Sequence, residues 1–310
     1  MQKIAFIFPG QGSQYVGMGK DICAEYPVAK NVFDEADRVL GRSLTALCFN
    51  GPEEDLKDTR NAQLCILATS VALYRVFEEA GFKPDFMAGH SLGEYSALAA
   101  GGALPFDTVL RLVDKRARLM AEADPEKQGT MAAVLGLTRE AVFEILKQAS
   151  EGGRVEAANF NCPGQIVVSG AKNGIAKVQE LVTAAGGKAI PLAVSGPFHS
   201  SLMRPAAEAI RDELAKAPWR EPAVPLIANI SALPAHRDEL AENLYHQMYS
   251  SVLWEDSLNY LSEQGVTVFM EVGPGKVLSG LVKKTVKGVT ILNCGDSDSV
   301  KKSLAILKEV

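Results

Sequence analysis

Short apolar runs alternate along the chain with longer segments in which apolar residues recur every three or four positions. The first run, KIAFIF at 3–8, is closed by a Pro-Gly pair and is typical of a strand buried in a parallel sheet. The segment 19–40 has helical spacing and is interrupted by Pro27, which predicts a helix in two pieces. A further helical segment, 59–81, ends at a glycine, a common helix terminator. This alternation predicts an α/β layer architecture.

A second apolar run, KPDFMAGHS at 83–91, predicts a strand that leads through a turn into an alanine-rich helix. After residue 127 the pattern changes to strand, helix, two strands, helix and strand, which is the order of a ferredoxin-like unit. We therefore predict a large domain over 1–127 and 197–310 and a small ferredoxin-like domain over 128–196 inserted into it.

Composition and charge narrow the class of protein. Apolar residues make up 47% of the 310 residues and charged residues 22%, which is ordinary for a globular protein. The net charge of −5 provides no basic excess for neutralising phosphates, which argues against nucleic-acid binding. The five cysteines are scattered without a C-x-x-C pair, and no apolar run has the roughly 18 residues of a membrane helix. We expect a soluble cytoplasmic protein with no membrane segment and no metal site.

The segment GHSLG at 89–93 fits G-x-S-x-G, the pattern of a nucleophile elbow. In such an elbow a strand runs directly into a helix, and strained backbone angles expose the hydroxyl of the serine, here Ser91. Gly89 and Gly93 have to be small because the strand and the helix pass close together. The pattern also occurs by chance, but here it follows a predicted strand and opens a predicted helix. We therefore predict that Ser91 is a nucleophile.

A serine nucleophile requires a base, and the chain contains four histidines. His90 is adjacent to Ser91, and neighbouring side chains on an extended segment point to opposite sides. His236 lies in a polar loop marked by proline and His246 in a helical pattern, and both positions are typical of surface residues. His199 follows a predicted strand in a loop before a helix, where functional residues are common. We predict that His199 is the base; the alternative is a histidine that only caps or packs.

Backbone groups are expected to complete this site. The aspartates between the serine and the histidine have no predicted strand ahead of them, so a main-chain carbonyl is the expected orienting group for the imidazole. An oxyanion requires two N–H donors, and the residue after the nucleophile, Leu92, supplies one. The glycine-rich loop FPGQGSQYVGMG at 8–19 is expected to supply the other. That loop lacks the G-K-[ST] ending of a phosphate loop, so nucleotide binding is disfavoured.

Taken together, these features resemble one family, the malonyl-CoA:acyl carrier protein transacylases of type II fatty acid synthesis. The match spans essentially the whole chain. The motifs that carry it, in order, are FPGQGSQ at 8–14, GHSLGE at 89–94, ANFNCPGQIVVSG at 158–170, SGPFHSSLM at 195–203 and EVGPGKVLSG at 271–280. The resemblance implies an α/β-hydrolase-like parallel-sheet domain with an inserted ferredoxin-like small domain, in agreement with the boundaries above.

The resemblance also implies roles for individual residues. Ser91 would be acylated, His199 would be its base, and the backbone N–H groups of Gln11 and Leu92 would form the oxyanion hole. Arg116, which begins the pattern R-x-x-x-M, would bind the malonyl carboxylate. A planar guanidinium suits that role because it pairs with two oxygens at once. The alternative for this arginine is a solvated helix face.

Three further positions are assigned by the same resemblance. The main-chain carbonyl of Leu253, just before a tryptophan, would orient the imidazole of His199. Asn161 would order the edge of the substrate site, and Phe198 would narrow the acyl pocket in favour of malonyl over branched acyl groups.

The implied reaction is ping-pong transfer of a malonyl group from malonyl-CoA to the phosphopantetheine thiol of acyl carrier protein, through a malonyl-serine intermediate. Malonyl-CoA would be a substrate, the carrier protein a transient partner, and no cofactor would be bound permanently. Two alternatives stay open: an acyltransferase that serves a polyketide pathway, and a serine thioesterase or esterase in which water replaces the thiol. A carrier-docking module without catalysis is disfavoured because both Ser91 and His199 are present.

A basic segment near the end of the sequence is the densest candidate for docking an acidic carrier protein. GKVLSGLVKKTVKG, at 275–288, contains four lysines and no acidic residue. The alternative is a helix whose lysines only keep the surface soluble.

Overall fold

The computed structural model describes residues 2–308, which form two β-sheets and the helices around them. The strands are β1 (Lys3–Phe8), β2 (Phe86–Gly89), β3 (Gly129–Leu135), β4 (Val155–Cys162), β5 (Gln165–Ala171), β6 (Lys188–Pro191), β7 (Leu226–Ile227), β8 (Val266–Val272) and β9 (Thr290–Cys294). The α-helices are α1 (Lys20–Glu25), α2 (Pro27–Leu40), α3 (Leu44–Asn50), α4 (Glu53–Lys57), α5 (Thr59–Glu79), α6 (Leu92–Ala100), α7 (Phe106–Glu122), α8 (Arg139–Ala149), α9 (Lys172–Ala184), α10 (Arg204–Lys216), α11 (Arg237–Gln247), α12 (Trp254–Glu263), α13 (Val277–Thr285) and α14 (Ser297–Leu307).

The first sheet is parallel throughout, with the strand order β7-β2-β1-β8-β9. Side chains along its central strand, β1, alternate between the two faces, so that Phe6 and Phe8 enter one core cluster and Ala5 and Ile7 another. Helices α5, α6 and α7 contribute to the first cluster and α12 and α13 to the second. The sheet is therefore the middle of three layers, which is why its strands read as continuous apolar runs.

The second sheet is antiparallel, with the order β4-β5-β3-β6. On β3, Ala132 and Val134 pack in a cluster with α8 and α9, whereas Met131 and Ala133 join the core of the first sheet. One face of this sheet thus carries its own helices and the other faces the larger core. The strand and helix order over 129–191 is the one predicted from the sequence.

Several of the predicted local features are confirmed. Pro27 is the first residue of α2, and it separates this helix from α1. The helix α5 ends just before Gly81, which has the left-handed φ of 82°. The five cysteines are free thiols. Within residues 2–308, no helix combines the length and the apolar character that crossing a membrane requires.

The carboxyl ends of the parallel strands lie at one edge of the sheet, and the segments that follow β1 and β2 line a cavity of about 530 Å³. The glycine-rich loop follows β1, and Ser91 follows β2. The chain leaves for the second sheet through α7 and returns through the loop that carries His199. Residues far apart in sequence meet here because parallel strands place their carboxyl ends together.

Candidate active site

Ser91 occupies the turn between β2 and α6 with φ 51° and ψ −107°, angles that are uncommon for a residue with a side chain. The two flanking glycines allow the strand and the helix to pass in contact. A Cβ atom on Gly89 would lie 1.9 Å from backbone atoms of Gly93, and one on Gly93 would lie 2.0 Å from the carbonyl oxygen of Phe8. The predicted reason for the glycines is confirmed.

Asn229 holds this strained turn in place. The backbone N–H of Ser91 donates to Asn229 Oδ1 over 2.7 Å, and Asn229 Nδ2 donates to the carbonyl oxygen of Gly89 over 2.6 Å. The side chain is buried in the loop after β7. Sequence analysis did not identify this residue, because an asparagine after a two-residue strand carries no recognisable pattern.

The imidazole of His199 lies beside the Ser91 hydroxyl, with 2.8 Å between Nε2 and Oγ. On the other side of the ring, Nδ1 lies 2.8 Å from the backbone carbonyl oxygen of Gln247. A carbonyl only accepts, so Nδ1 carries the proton and Nε2 is free to accept one from the serine. Burial, followed by the nearby charge of Arg116, lowers the pKa of His199 to about 3 and keeps the ring neutral.

The prediction that Leu253 supplies the orienting carbonyl is wrong. The Leu253 carbonyl accepts from the backbone N–H of Ser257 over 2.9 Å and from its hydroxyl over 2.8 Å, within the first turn of α12. Gln247 takes this role because it is the last residue of α11, where a carbonyl has no partner inside the helix and is available to His199. The expected type of group, a main-chain carbonyl, is the observed one.

The other histidines do not contact the Ser91 hydroxyl. His90 Nε2 lies 2.8 Å from Asn161 Oδ1, while His236 is exposed and His246 is bonded to the hydroxyl of Tyr249. Of the four histidines, His199 is therefore the one whose ring lies within hydrogen-bonding distance of the Ser91 hydroxyl. Asn161, assigned to the substrate site by resemblance, is not among the described residues that line the cavity; it contacts His90 instead.

Arg116 is fully buried on α7, with its guanidinium in contact with the Ser91 hydroxyl. Its Nη2 donates to Ser91 Oγ over 3.1 Å and to Gln247 Oε1 over 3.0 Å, and its Nη1 donates to Gln63 Oε1. Its Nε has no partner within residues 2–308. Since all three acceptors are neutral, the buried charge lacks a carboxylate in direct contact, and the solvated-face alternative is excluded. The nearby Arg118 instead pairs with Asp114 at 2.8 Å on the surface.

Gln247 connects the parts of the site through its side chain as well as its backbone. Its Nε2 donates to the carbonyl oxygen of Ser91 over 3.0 Å and to Glu94 Oε2 over 2.7 Å, while its Oε1 accepts from Arg116. Sequence analysis did not identify this role, because a glutamine inside a helical pattern usually faces solvent.

Two backbone N–H groups are available in the cavity that contains Ser91. Gln11 and Leu92 both line the cavity, and within the described part of the chain neither backbone N–H donates to a protein acceptor. The N–H of Leu92 is free because this residue opens α6. Phe198 also lines the cavity as a buried wall beside His199. The geometry thus combines a serine hydroxyl, a neutral imidazole, a buried guanidinium and two backbone N–H groups without a protein acceptor in the described part of the chain.

Comparison with known proteins gives a consistent result. The family model described as "Acyl transferase domain" matches residues 5–302. The malonyl CoA-acyl carrier protein transacylase of Bacillus subtilis (strain 168) is 48% identical over 312 residues, which cover 100% of this chain and 98% of the relative.

Solved structures agree with the sequence relatives. The malonyl CoA-acyl carrier protein transacylase from Clostridium perfringens superimposes with a TM-score of 0.96 at 42% identity, and the match covers 99% of this chain and 98% of that one. A malonyl-transacylase in complex with its type II PKS acyl-carrier protein has a TM-score of 0.95 at 40% identity, covering 98% and 99%.

Proposed function

This chain belongs to the acyl transferase domain family, and within it to the malonyl CoA-acyl carrier protein transacylases, and we propose that it transfers malonyl from malonyl-CoA to acyl carrier protein by a ping-pong mechanism. The observation that carries the proposal is the buried guanidinium of Arg116, which lies 3.1 Å from the Ser91 hydroxyl and contacts no carboxylate among residues 2–308. A serine nucleophile beside an unpaired cation suits an acyl group that ends in a carboxylate.

In the first half-reaction, Ser91 Oγ attacks the thioester carbonyl carbon of malonyl-CoA and His199 Nε2 accepts the hydroxyl proton. The tetrahedral intermediate collapses with cleavage of the carbon–sulfur bond, and the proton on His199 passes to the departing CoA sulfur. A malonyl-serine ester remains. The 2.8 Å separation between Oγ and Nε2 supports this role for the pair.

The negative charge of the tetrahedral oxygen is stabilised by the backbone N–H groups of Gln11 and Leu92. Their freedom from protein acceptors within the described residues supports this assignment. Donors fixed by the backbone need no rearrangement as the charge develops, which is why such a pair is effective.

In the second half-reaction, the phosphopantetheine thiol of the carrier protein attacks the ester carbonyl and gives its proton to His199. Ser91 leaves and recovers a proton from the same nitrogen, so the enzyme returns to its starting state. Throughout both halves the Gln247 carbonyl holds Nδ1–H, which keeps Nε2 directed at the reacting atoms. Malonyl-CoA is a substrate in this scheme, and no permanently bound cofactor is needed.

Arg116 pairs with the malonyl carboxylate and Phe198 forms the wall that limits the acyl group. The two assignments are supported by the position of both residues on the lining of the cavity that contains Ser91. The carboxylate would replace neutral acceptors around the guanidinium with a charged one, which is the stronger partner.

A polyketide pathway is the second candidate for the destination of the malonyl group. The observation that favours it is the structural relative whose partner is a type II PKS acyl-carrier protein, at 40% identity. A thioesterase or esterase reaction, with water in place of the thiol, is the third. Comparing transfer to carrier proteins of both pathways with the release of free malonate separates the three.

Intact-protein mass spectrometry tests the proposal directly. After mixing with malonyl-CoA, the protein is expected to gain the mass of one malonyl ester, and to lose it on addition of carrier protein that bears a free phosphopantetheine thiol. Ser91→Ala is expected to abolish both the adduct and the transfer. The matched control is Ser96→Ala, whose buried hydroxyl lies on the following helix without a partner in residues 2–308. An adduct of undiminished yield in Ser91→Ala contradicts the assignment of the nucleophile.

The finer description of the fold is part of the same proposal. We assign residues 128–196 to a ferredoxin-like small domain and 1–127 with 197–310 to an α/β-hydrolase-like catalytic domain. The strand order β4-β5-β3-β6 with α8 and α9 on one face supports the first assignment, and the elbow between β2 and α6 supports the second. A cytoplasmic location stays a prediction.

A further inference from the structure

A glutamate that the proposed chemistry does not use is buried directly beneath the active site. Glu94 lies in the first turn of α6 and is 1% exposed, and within residues 2–308 it forms no ion pair with a lysine or an arginine. Burial of a carboxyl group is costly unless its oxygens accept hydrogen bonds. A role in holding its neighbours would explain why such a group lies here.

Both hydrogen bonds that Glu94 accepts come from residues that hold the active site. Gln247 Nε2 donates to Glu94 Oε2 over 2.7 Å, and the backbone N–H of Asn229 donates to the same oxygen over 3.2 Å. One carboxyl oxygen therefore joins the end of α11 to the loop after β7.

The first of these neighbours aligns the reacting residues. The Gln247 backbone carbonyl binds His199 Nδ1, and its side chain contacts the carbonyl oxygen of Ser91 and the guanidinium of Arg116. The Nε2 group that Glu94 accepts from is the one that contacts Ser91, so movement of this amide would shift the serine and the histidine relative to each other.

The second neighbour holds the turn itself. The Asn229 side chain accepts from the Ser91 N–H and donates to the Gly89 carbonyl, so it fixes both sides of the strained residue. Glu94 accepts from the backbone N–H of Asn229 itself, so it holds the residue that carries this side chain. The carboxyl group thus supports both contacts that define where Ser91 Oγ lies.

We propose that Glu94 is a positioning residue whose carboxyl oxygen fixes Gln247 and Asn229 and thereby aligns Ser91 Oγ with His199 Nε2. The inference rests on the proposed role of Ser91 as nucleophile. It assigns the effect to the location of an acceptor oxygen and not to the negative charge of the side chain. An amide oxygen at the same place would serve equally well.

The charge of Glu94 is not fixed near neutral pH, which agrees with that assignment. Burial raises the pKa of Glu94 to about 7, while the hydrogen bonds from Gln247 and Asn229 and the charge of Arg116 oppose the rise. A carboxyl group that gains a proton near pH 7 is poorly suited to a role that requires constant charge. It remains an acceptor in both states.

Two conservative variants separate acceptor from charge. Glu94→Gln keeps the side-chain length and an acceptor oxygen but removes the charge, and Glu94→Asp keeps the carboxylate but withdraws it by one methylene. Ser96→Ala, on the same helix, is the control for altered packing of α6. Each protein is treated with a fluorophosphonate that labels activated serines, and the labelling rate of Ser91 is followed by intact mass. Malonyl transfer and thermal unfolding are measured in parallel.

For Glu94→Asp we expect the labelling rate of Ser91 and the kcat of malonyl transfer each to fall roughly 10- to 100-fold. A displacement of the reacting atoms by about 1 Å is enough for such a loss. Glu94→Gln should stay within about threefold of the parent, a change of under 1 kcal/mol in the barrier. Both variants should unfold near the parental temperature, and KM for malonyl-CoA should change less than kcat.

Other outcomes overturn the inference. Parental rates in both variants would show that Glu94 positions nothing, and a slow Glu94→Gln beside a fast Glu94→Asp would show that charge is what matters. Equal losses in both, at unchanged thermal stability, would also exclude a role for the acceptor. Labelling does not use malonyl-CoA, so a parent protein that labels at Ser91 but transfers no malonyl refutes the proposed function and leaves this test intact.

Discussion

At the scale of single residues, the imidazole of His199 and the guanidinium of Arg116 influence each other across the Ser91 hydroxyl. The charge of Arg116 is the second cause, after burial, of the low pKa of His199. A substrate carboxylate bound to the guanidinium would offset that charge, so the imidazole would become a stronger base when malonyl is in place. Recognition of the acid group and activation of the serine are then linked.

The low pKa of His199 predicts an unusual pH profile. Its folded value of about 3 lies below the ordinary 6.5, so the neutral, basic form persists as pH falls through 6.5 and is lost only well below it. We expect the rate of Ser91 acylation by malonyl-CoA to show no His199 inflection between pH 8 and about pH 5. Rapid-quench mass spectrometry across that range measures it.

Among the groups that contact the site, Glu94 has a pKa raised to about 7, so Glu94→Gln serves as the control. An inflection near pH 7 that disappears in this variant would belong to Glu94 and would contradict the inference that only the position of its acceptor oxygen matters. An inflection near pH 6.5 that persists in Glu94→Gln would show that His199 gains its proton at the ordinary pKa, contrary to the expectation.

Removing the guanidinium is expected to change acyl selectivity. Arg116→Ala should lower the ratio of malonyl-CoA to acetyl-CoA acylation rates by roughly 10- to 100-fold, because hydrogen bonds to charged groups are worth about 1.5–3 kcal/mol. The ratio is the informative quantity, since Arg116 also contacts Ser91 and its loss will slow both donors. Arg118→Ala, on the same helix but at the surface, is the matched control. Equal falls for the two donors would make Arg116 a structural residue.

Sequence reasoning identified the residues whose role depends on local pattern and missed those whose role depends on packing. Ser91 could be predicted from its glycines, and His199 from elimination among four histidines. Gln247 and Asn229 could not, because each acts through contacts made only after distant segments meet. The Leu253 assignment failed for the same reason: which carbonyl reaches the imidazole depends on where α11 ends.

At the scale of elements, the site depends on how closely α6 crosses the end of β2. The helix begins at the residue after Ser91, so a side chain on either flanking glycine would have to displace main chain and not merely a flexible neighbour. The elbow is therefore intolerant of even one added methyl group.

Gly89→Ala is expected to lower the free energy of unfolding by about 3 kcal/mol or more and to abolish labelling of Ser91, because the added Cβ would overlap the Gly93 backbone. Gly280→Ala is the control, since its Cβ would meet nothing within 4 Å inside α13 and should raise stability by about 0.5–1 kcal/mol. Urea unfolding measures both. A Gly89→Ala protein as stable as the parent would contradict the described turn.

Elements with strong periodicity were predictable, and short or irregular ones were not. The strand over 3–8 and the helix over 59–81 carry apolar patterns long enough to define them. The edge strand β9 depends on pairing with β8, so its residues alone indicate little.

At the scale of the whole molecule, the surface charge is uneven. The four lysines of the basic segment are exposed, and within residues 2–308 none of them forms an ion pair: Lys276, Lys283, Lys284 and Lys287. A second basic surface, formed by Lys115 and Arg118, offers less unpaired positive charge, because Lys115 pairs with Glu213 and Arg118 with Asp114. The segment also adjoins the second sheet, since the Lys284 ammonium lies 3.4 Å from Gln165 Oε1.

Reversing two of these charges tests whether the basic segment is the docking site for an acidic carrier protein. Lys283→Glu with Lys284→Glu should raise KM for carrier protein about three- to tenfold and weaken its salt dependence, as exposed charge pairs are each worth up to about 1 kcal/mol. Acylation by malonyl-CoA alone should be unchanged. Lys3→Glu with Lys83→Glu makes the same charge change near the amino ends of β1 and β2, away from Ser91. If the KM for carrier protein matches the parental value at every salt concentration, the docking site lies on another face.

The position of β1 at the centre of the parallel sheet has a consequence for the chain during its synthesis. One side of β1 pairs with β2, which is complete at Gly89, but the other pairs with β8, which begins only at Val266. At roughly 5–20 residues per second, a ribosome needs about 10–40 s to bridge that interval. Through all of it the nascent sheet exposes the unsatisfied edge of an apolar strand, a surface prone to intermolecular pairing. We expect a chaperone that binds nascent chains, or the ribosome surface itself, to shield that edge until β8 emerges.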